Sequence, residues 1–358
     1  MTAFSRQTTL KNPHTAAWLA PSNIALVKYW GKSGLQIPAN PSLSMTLKNA
    51  RTETRVSVTP SSRREIIFKF ENQEKPEFLP KIEAFLERIS EFLPWINKAA
   101  FLINSTNTFP HSSGIASSAS SMAALALSVT EIDFSLSGMT EESPEFLNTA
   151  SFLARLGSGS ASRSVYPGYA LWGKHRDIAE SSDEFAIPFQ SKIHSLFQNM
   201  NDDILIVNPA SKSVSSSAGH NLMDRHDFRK SRIKQAASRT KKMITALQTG
   251  DMDAFIYITE QEALTLHALM MSSEKPFSLL APESLSIISE VQDFRKQTDL
   301  PVCFTLDAGP NVHIVYPEKD ATKVKRFIKS TLSPHCHNGF YLEDQTGEGP
   351  KKITRDDA

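Results

Sequence analysis

Two cysteines in 358 residues, Cys303 and Cys336, are too few for a disulfide framework, and such usage fits a reducing cytosol. A charge excess is missing as well. The 39 Lys and Arg residues against 38 Asp and Glu argue against a general polyanion binder, so nucleic acid is not an expected partner. No run reaches the ~18 continuous apolar residues of a membrane span, so no membrane partner is expected either. The opening stretch MTAFSRQTTLKNPHTAA has no apolar core, and no signal peptide is expected. The motif GxxxxGK[ST] is absent, which excludes a Walker-type nucleotide loop. There is no long internal repeat. What is present is ordinary for a globular protein, with 40% apolar and 22% charged residues. The length exceeds one comfortable core, so two domains are expected, over 1–200 and 201–358.

Hydrophobic periodicity places the elements. AAWLAPSNIALVKYW reads as two short apolar runs around a turn at Pro21–Asn23. RTETRVSVTP (51–60) and REIIFKF (64–70) read as strands. PKIEAFLERISEFL (80–93) has helical spacing, and AAFLINSTN (99–107) is a strand. A helix starts near Ser117 or Ser118 and a second at Ser143, just before Pro144. SVYPGYALW (164–172) reads as strand, 174–202 as charged and irregular, and ILIVN (204–208) as a buried strand. Helices near 222–248, 251–271 and 284–297 lead to a β-turn-β unit, VCFTL and VHIVY flanking DAGPN. The tail beyond about 345 is polar and expected to fray.

The chemistry starts at PHSSGIASSASSMAALAL (110–127), where small residues and hydroxyls run into an apolar helix. A helix N-terminus offers unpaired N–H groups and a positive dipole end, and small residues let phosphate oxygens approach. The same composition also suits a polar cap on an ordinary helix. Two more stretches share the pattern. GSGSASRS (157–164) carries Arg163, and APSNIALVKYWGK (20–32) carries Lys28 and Lys32. From the residues alone, Asp307 in FTLDAGPN is a turn aspartate or a base, Lys28 an exposed strand lysine or a site cation, and Arg163 a surface ion-pair partner or an anion clamp.

Taken together, APSNIALVKYWGK, PHSSGIASSASSMAAL, GSGSASRS and FTLDAGPN resemble, in order, the signature segments of the diphosphomevalonate decarboxylases. These belong to the GHMP superfamily of small-molecule kinases. VSSSAG (214–219) and LTLHA (264–268) match further segments. The resemblance implies an α+β fold with a ribosomal S5 domain 2-like N-terminal half and a ferredoxin-like C-terminal half, with the site between them. It implies ATP-dependent decarboxylation of (R)-5-diphosphomevalonate to isopentenyl diphosphate, with ATP and Mg²⁺, in a cytoplasmic homodimer.

The resemblance also implies roles. Asp307 matches the catalytic aspartate that handles the proton of the C3 hydroxyl. Lys28 matches the active-site lysine beside it, and Arg163 the arginine that holds the C1 carboxylate. Tyr29, Trp30, Gly31 and Lys32 match the segment at the substrate's diphosphate end. Ser158, Gly159, Ser160, Ala161 and Ser162 lead to Arg163 in the substrate loop. Ser216 and Ser217 match hydroxyls that close over the site. Ser112, Gly114, Ala116, Ser117 and Ser118 match the ATP-phosphate cradle, with Ser118 also toward Mg²⁺. Eukaryotic members carry an arginine on the helix after the second strand; Lys81 is the candidate for its place. Decarboxylation of the 5-monophosphate, a 3-kinase activity without decarboxylation, and an inactive ATP-binding scaffold are the alternatives. The basic stretch 223–243 reads as a solvated helix face, HCHN (335–338) lacks a second ligand pair for metal, and His267 reads as a packing or supporting histidine.

Overall fold

The computed structural model describes residues 4–109, 117–189, 193–209 and 216–354. Its first half is an eight-stranded sheet backed by helices. The strands are β1 (His14–Val27), β4 (Ser42–Pro60), β5 (Glu65–Phe70), β6 (Gln73–Glu74), β7 (Ala99–Asn107), β8 (Tyr169–Trp172), β9 (Ala186–Pro188) and β14 (Lys351–Lys352). Their order is β14-β1-β4-β7-β5-β6, with β8 on β4 and β9 on β8. A small hairpin, β2 (Lys32–Ser33) and β3 (Ile37–Pro38), stands apart. Only the β5–β7 pairing is parallel among the described ladders.

The outer part of β4 shows why it is a strand. Thr52, Thr54, Val56 and Val58 point inward while Arg51, Glu53, Arg55 and Ser57 alternate outward. Helices α1 (Leu79–Ser90), α2 (Ser117–Leu136) and α3 (Phe146–Gly157) cover the inner face. Small Ala and Ser residues let α2 be buried on nearly all sides.

The second half pairs β11 (Cys303–Thr305), β12 (Val312–Pro317), β10 (Met200–Leu205) and β13 (Tyr341–Gln345) in that order, all antiparallel. Helices α4 (Ser216–Leu222), α5 (Arg229–Thr249), α6 (Met252–Met271), α7 (Pro282–Thr298) and α8 (Ala321–Phe327) complete it. Gly250 ends α5 in the left-handed region at φ 81°, and Asp251 caps α6 by accepting from Ala254 N–H at 3.0 Å. No described helix is long and apolar enough to cross a membrane. One core spans both halves: Ile24, Leu26 and Val27 of β1 pack in the same cluster as Met200, Ile204, Met243 and Phe255. The residue after β1, Lys28, therefore emerges at the seam.

Several expectations need correction. Pro21 does not end a strand; β1 runs through it with a bulge between Pro21 and Asn23, which absorbs the missing N–H. The strand expected at 204–208 starts at Met200, because Asp202 and Asp203 are buried in it. The helix expected from Ser143 begins at Phe146, and that expected from 222 begins at Arg229. The tail is not frayed: Lys351–Lys352 pair with β1, and Lys352 bridges Glu131 and Glu141 at 2.8 and 2.6 Å. Although it follows the second sheet in sequence, β14 belongs to the first sheet.

The buried acids predict a pH effect. Tyr316 donates to Asp203 Oδ2 at 2.6 Å. Burial pushes the Asp203 carboxyl from 3.8 up to about 7; Glu343 and Asp202 add to this, while Tyr316 and Lys325 oppose it. The folded state thus binds this proton more tightly than the unfolded chain. Its contribution is present below the unfolded value and lost as pH rises through the folded one. Urea unfolding at about pH 5 and about pH 8 is expected to show Asp203→Asn gaining on the wild type as pH rises, and a constant gap would contradict the assignment.

Candidate active site

Lys28 lies just past the end of β1 and Asp307 two residues past β11. Lys28 Nζ donates to Asp307 Oδ1 at 2.9 Å; the lysine side chain is 2% exposed and that of Asp307 30%. The carboxylate is thus held by a buried cation yet open to a ligand. A tight turn shapes the aspartate's backbone, with Gly309 N–H donating to Asp307 O at 2.7 Å. His267 Nε2 lies 3.1 Å from the same carbonyl, a supporting contact to the DAGPN turn.

Arg163 ends the tight turn Gly159–Arg163 that follows α3. Its Nη1 donates to Ser42 Oγ at 2.7 Å and its Nε to Asn23 Oδ1 at 3.4 Å. Asn23 in turn donates to Ser160 O at 3.2 Å and Ser164 Oγ at 2.7 Å, tying the loop to β1. Burial pulls the guanidinium down to about 10, with Asp307 and Tyr29 opposing, so it remains a cation at neutral pH. Asp307, Lys28 and Arg163 are therefore brought together from three distant segments.

The KYWGK segment divides its labour. The Tyr29 ring meets Trp172 edge-on at 4.7 Å and His220 at 4.3 Å. Burial pushes the Tyr29 phenol well up, against the pull of Arg163 and Arg155, and its oxygen has no hydrogen-bond partner among the described residues. Gly159 must be glycine here: a Cβ would stand 2.7 Å from Trp172 and 3.0 Å from Tyr29. Trp30 is buried with Met223, Leu266 and Leu269, so it packs the seam instead of lining the cleft. Gly31, at φ 91°, donates its N–H to His220 Nδ1 at 3.0 Å. Burial pushes His220 down to about 3, so the ring is a neutral acceptor there.

Lys32 is half-buried, and its ammonium is shifted down first by burial and then by Arg88. Arg88 also donates to Leu156 O at 2.8 Å, at the end of α3. Arg88 is thus the α1 cation whose charge bears on Lys32. Lys81, expected there, instead lines an apolar pocket with Phe68, Phe78, Ile82 and Ser118, where burial shifts its ammonium down. The two are seven residues apart, about two helical turns, which the sequence alone did not resolve.

Ser117 and Ser118 open α2 at this pocket. Ser118 Oγ lies 3.5 Å from Ser158 Oγ, itself 3.5 Å from Ser160 Oγ, so the start of α2 and the turn that leads to Arg163 touch through hydroxyls. Ala161 and Ser162 are fully buried, and Ser162 Oγ donates to Gly159 O at 2.8 Å; they brace the loop and do not face the cleft. Ser112, Gly114 and Ala116 lie outside the described residues, as do the side chains of Ser216 and Ser217.

The missed residues are polar groups inside helices. Arg232 of α5, placed by the sequence on a solvated face, is buried, as is Glu262 of α6; the Glu262 carboxylate reaches Lys28 N–H at 2.8 Å. No pattern in the sequence marks Arg232 or Glu262 as buried, since charged residues at helical spacing read as a solvated face.

A two-lobed α+β fold, an apolar pocket opening on a helix N-terminus and a Lys–Asp pair at the seam define a member of the GHMP kinase fold class. The family model for the diphosphomevalonate decarboxylase-like N-terminal domain matches residues 20–186, and that for the mevalonate 5-diphosphate decarboxylase C-terminal domain matches 203–355. The chain is 31% identical to the diphosphomevalonate decarboxylase of Aspergillus fumigatus, over 91% of this chain and 82% of that one. It is similar to the crystal structure of mevalonate diphosphate decarboxylase from Staphylococcus aureus, with a TM-score of 0.82, 29% identity, and 96% and 98% of the two chains covered. It also resembles MDDEF solved in complex with MVAPP, AMPPCP and magnesium, with a TM-score of 0.78, 28% identity, and 95% and 99% covered. The chain belongs to the diphosphomevalonate decarboxylase family.

Proposed function

We propose that Asp307, Lys28 and Arg163 carry the ATP-dependent decarboxylation of (R)-5-diphosphomevalonate to isopentenyl diphosphate, ADP, phosphate and CO₂. The observation that supports it most is the 2.9 Å Lys28–Asp307 contact, close enough to Arg163 for the aspartate to bear on its charge. Asp307 takes the proton of the C3 hydroxyl as that oxygen bonds to the γ-phosphorus and ADP leaves. Then the C1–C2 bond breaks and CO₂ departs. The electron pair becomes the C2=C3 double bond, and the C3–O bond breaks to release phosphate. Arg163 holds the C1 carboxylate by its planar fork, with Ser42 and Asn23 fixing the fork's plane. The buried walls around Lys28 and Arg163 limit water that would compete for the phosphoryl group.

The pocket beside Ser118 and Lys81 suits an adenine ring, with the triphosphate at the start of α2. No group of three His, Cys, Asp or Glu among the described residues could hold a metal. Ser118 is the protein donor proposed for Mg²⁺; the ion would otherwise be held by nucleotide oxygens and water, supplying charge neutralisation. The charge of Arg88 bears on Lys32, and a second positive charge near the proposed 5-substituent position favours the diphosphate over the monophosphate. A cytosolic homodimer is the proposed setting; the two cysteines are buried thiols, which suits a reducing compartment.

The test is to follow CO₂ and ADP on mevalonate, its 5-phosphate and its 5-diphosphate. Both products are expected in equal amounts, with the diphosphate preferred. ADP without CO₂ would replace the decarboxylase reading by a 3-kinase.

A further inference from the structure

Lys28 sits where β1 stops pairing, so its peptide groups have no ladder partners. They are nevertheless held. Glu262 Oε2 accepts Lys28 N–H at 2.8 Å, while Arg232 Nη2 and Asn40 Nδ2 each donate to Lys28 O at 3.0 Å. Glu262 and Arg232 lie on α6 and α5 of the second half, more than 200 residues on in the chain.

The Glu262 carboxylate is saturated. Oε1 accepts Arg232 Nη1 at 2.6 Å and Arg239 Nη1 at 2.9 Å; Oε2 accepts Arg232 Nη2 at 2.6 Å and the Lys28 amide. The side chains of Glu262 and Arg232 are 0% and 1% exposed. Burial works against the Glu262 charge, but Arg232, Arg239 and the Lys28 amide together hold its carboxyl below the usual range.

Burying such a set gains little stability over apolar residues of the same volume. Its distinctive product is direction. Arg232 reaches the carboxylate and the Lys28 carbonyl with one planar fork, so the peptide planes on both sides of Lys28 are fixed at once. The Glu262 helix, α6, also supports the other partner. His267, five residues after Glu262 and about 7.5 Å further along α6, contacts the Asp307 carbonyl. One rigid rod thus carries a support for the backbone of each member of the Lys28–Asp307 pair.

We propose that Glu262, together with Arg232, is a positioning residue that aims Lys28 at Asp307 for the chemical step. This rests on the catalytic reading of Lys28. Glu262 touches no substrate; it acts through the Lys28 backbone.

The test is a double-mutant cycle in the full-length enzyme, following CO₂ and ADP, with melting temperature as the check on folding. Glu262→Gln is expected to lower kcat by about 10- to 100-fold while KM for ATP and for diphosphomevalonate changes by less than about 3-fold. Glu262→Asp, which keeps the charge for Arg232, is expected to lose less. In a Lys28→Ala background, Glu262→Gln should alter kcat by less than about 2-fold, because the residue it aims is gone. Losses that multiply in the double variant, or a rise in KM alone, would overturn the proposal. If Glu262→Gln melts below the assay temperature, the cycle runs with Glu262→Asp, and the same lack of additivity is expected. Full activity in Lys28→Ala would instead remove the catalytic reading of Lys28, a result distinct from independence of the two sites.

Discussion

Asp307→Asn is expected to lower kcat by about 10²-fold or more, the usual scale of general acid–base help. Asparagine matches the shape of the carboxylate and can still accept from Lys28 Nζ, now 2.9 Å from Oδ1. It cannot take a proton from a tertiary hydroxyl. It also removes the negative charge beside a lysine side chain only 2% exposed to water. The turn should survive, because its hydrogen bond from Gly309 and its contact with His267 use the Asp307 backbone carbonyl. Steady-state assays should therefore show ADP and CO₂ falling together with KM little changed. Turnover equal to that of the wild type would show that another group receives the proton.

The second large effect is expected at Arg163. Arg163→Lys keeps a positive charge but gives up the fork. In the native loop the guanidinium contacts Ser42 and Asn23 while lying 5.9 Å from the Trp172 ring, an arrangement a single ammonium cannot reproduce while also holding a carboxylate. Losing one or two charge-assisted hydrogen bonds at about 1.5–3 kcal/mol each corresponds to a fall in kcat/KM of about 10²-fold. The fold should hold, since Ser42 Oγ retains its bond to Val27 O at 2.7 Å and Asn23 its bonds to Ser160 and Ser164. A loss smaller than about 3-fold on diphosphomevalonate would show that the substrate carboxylate is held elsewhere.

The proposed site residues were picked out by the family resemblance of short segments whose composition is constrained locally: small residues at a helix start, a glycine-proline turn after an aspartate, a lysine at a strand's end. Lys28, Arg163, Ser118 and Asp307 all stand in such segments. The residues that hold them were not legible, for a physical reason. Glu262 looks like any glutamate in an amphipathic helix until Lys28, 234 residues away, is brought against it. Arg232 likewise looks solvated until that carboxylate neutralises it. Pattern reading assigns charge to the surface, so paired buried charges are where it fails. The same error hid Asp202 and Asp203 and shortened β10. Pro21 misled in the opposite sense, since a bulge inside β1 accommodates what usually ends a strand.

The return of residues 351–352 to β1 has a consequence for synthesis. Trp18 and Leu19 find their β14 partners, Lys352 and Lys351, only once synthesis has passed Lys352. Until then Trp18 and Leu19 stand on an open stretch of the β1 edge, the kind of template on which nascent chains pair wrongly. The first half can gather its helices early, yet its sheet closes last. Contacts of such sequence separation raise the contact order of the first half, and high contact order goes with slow folding.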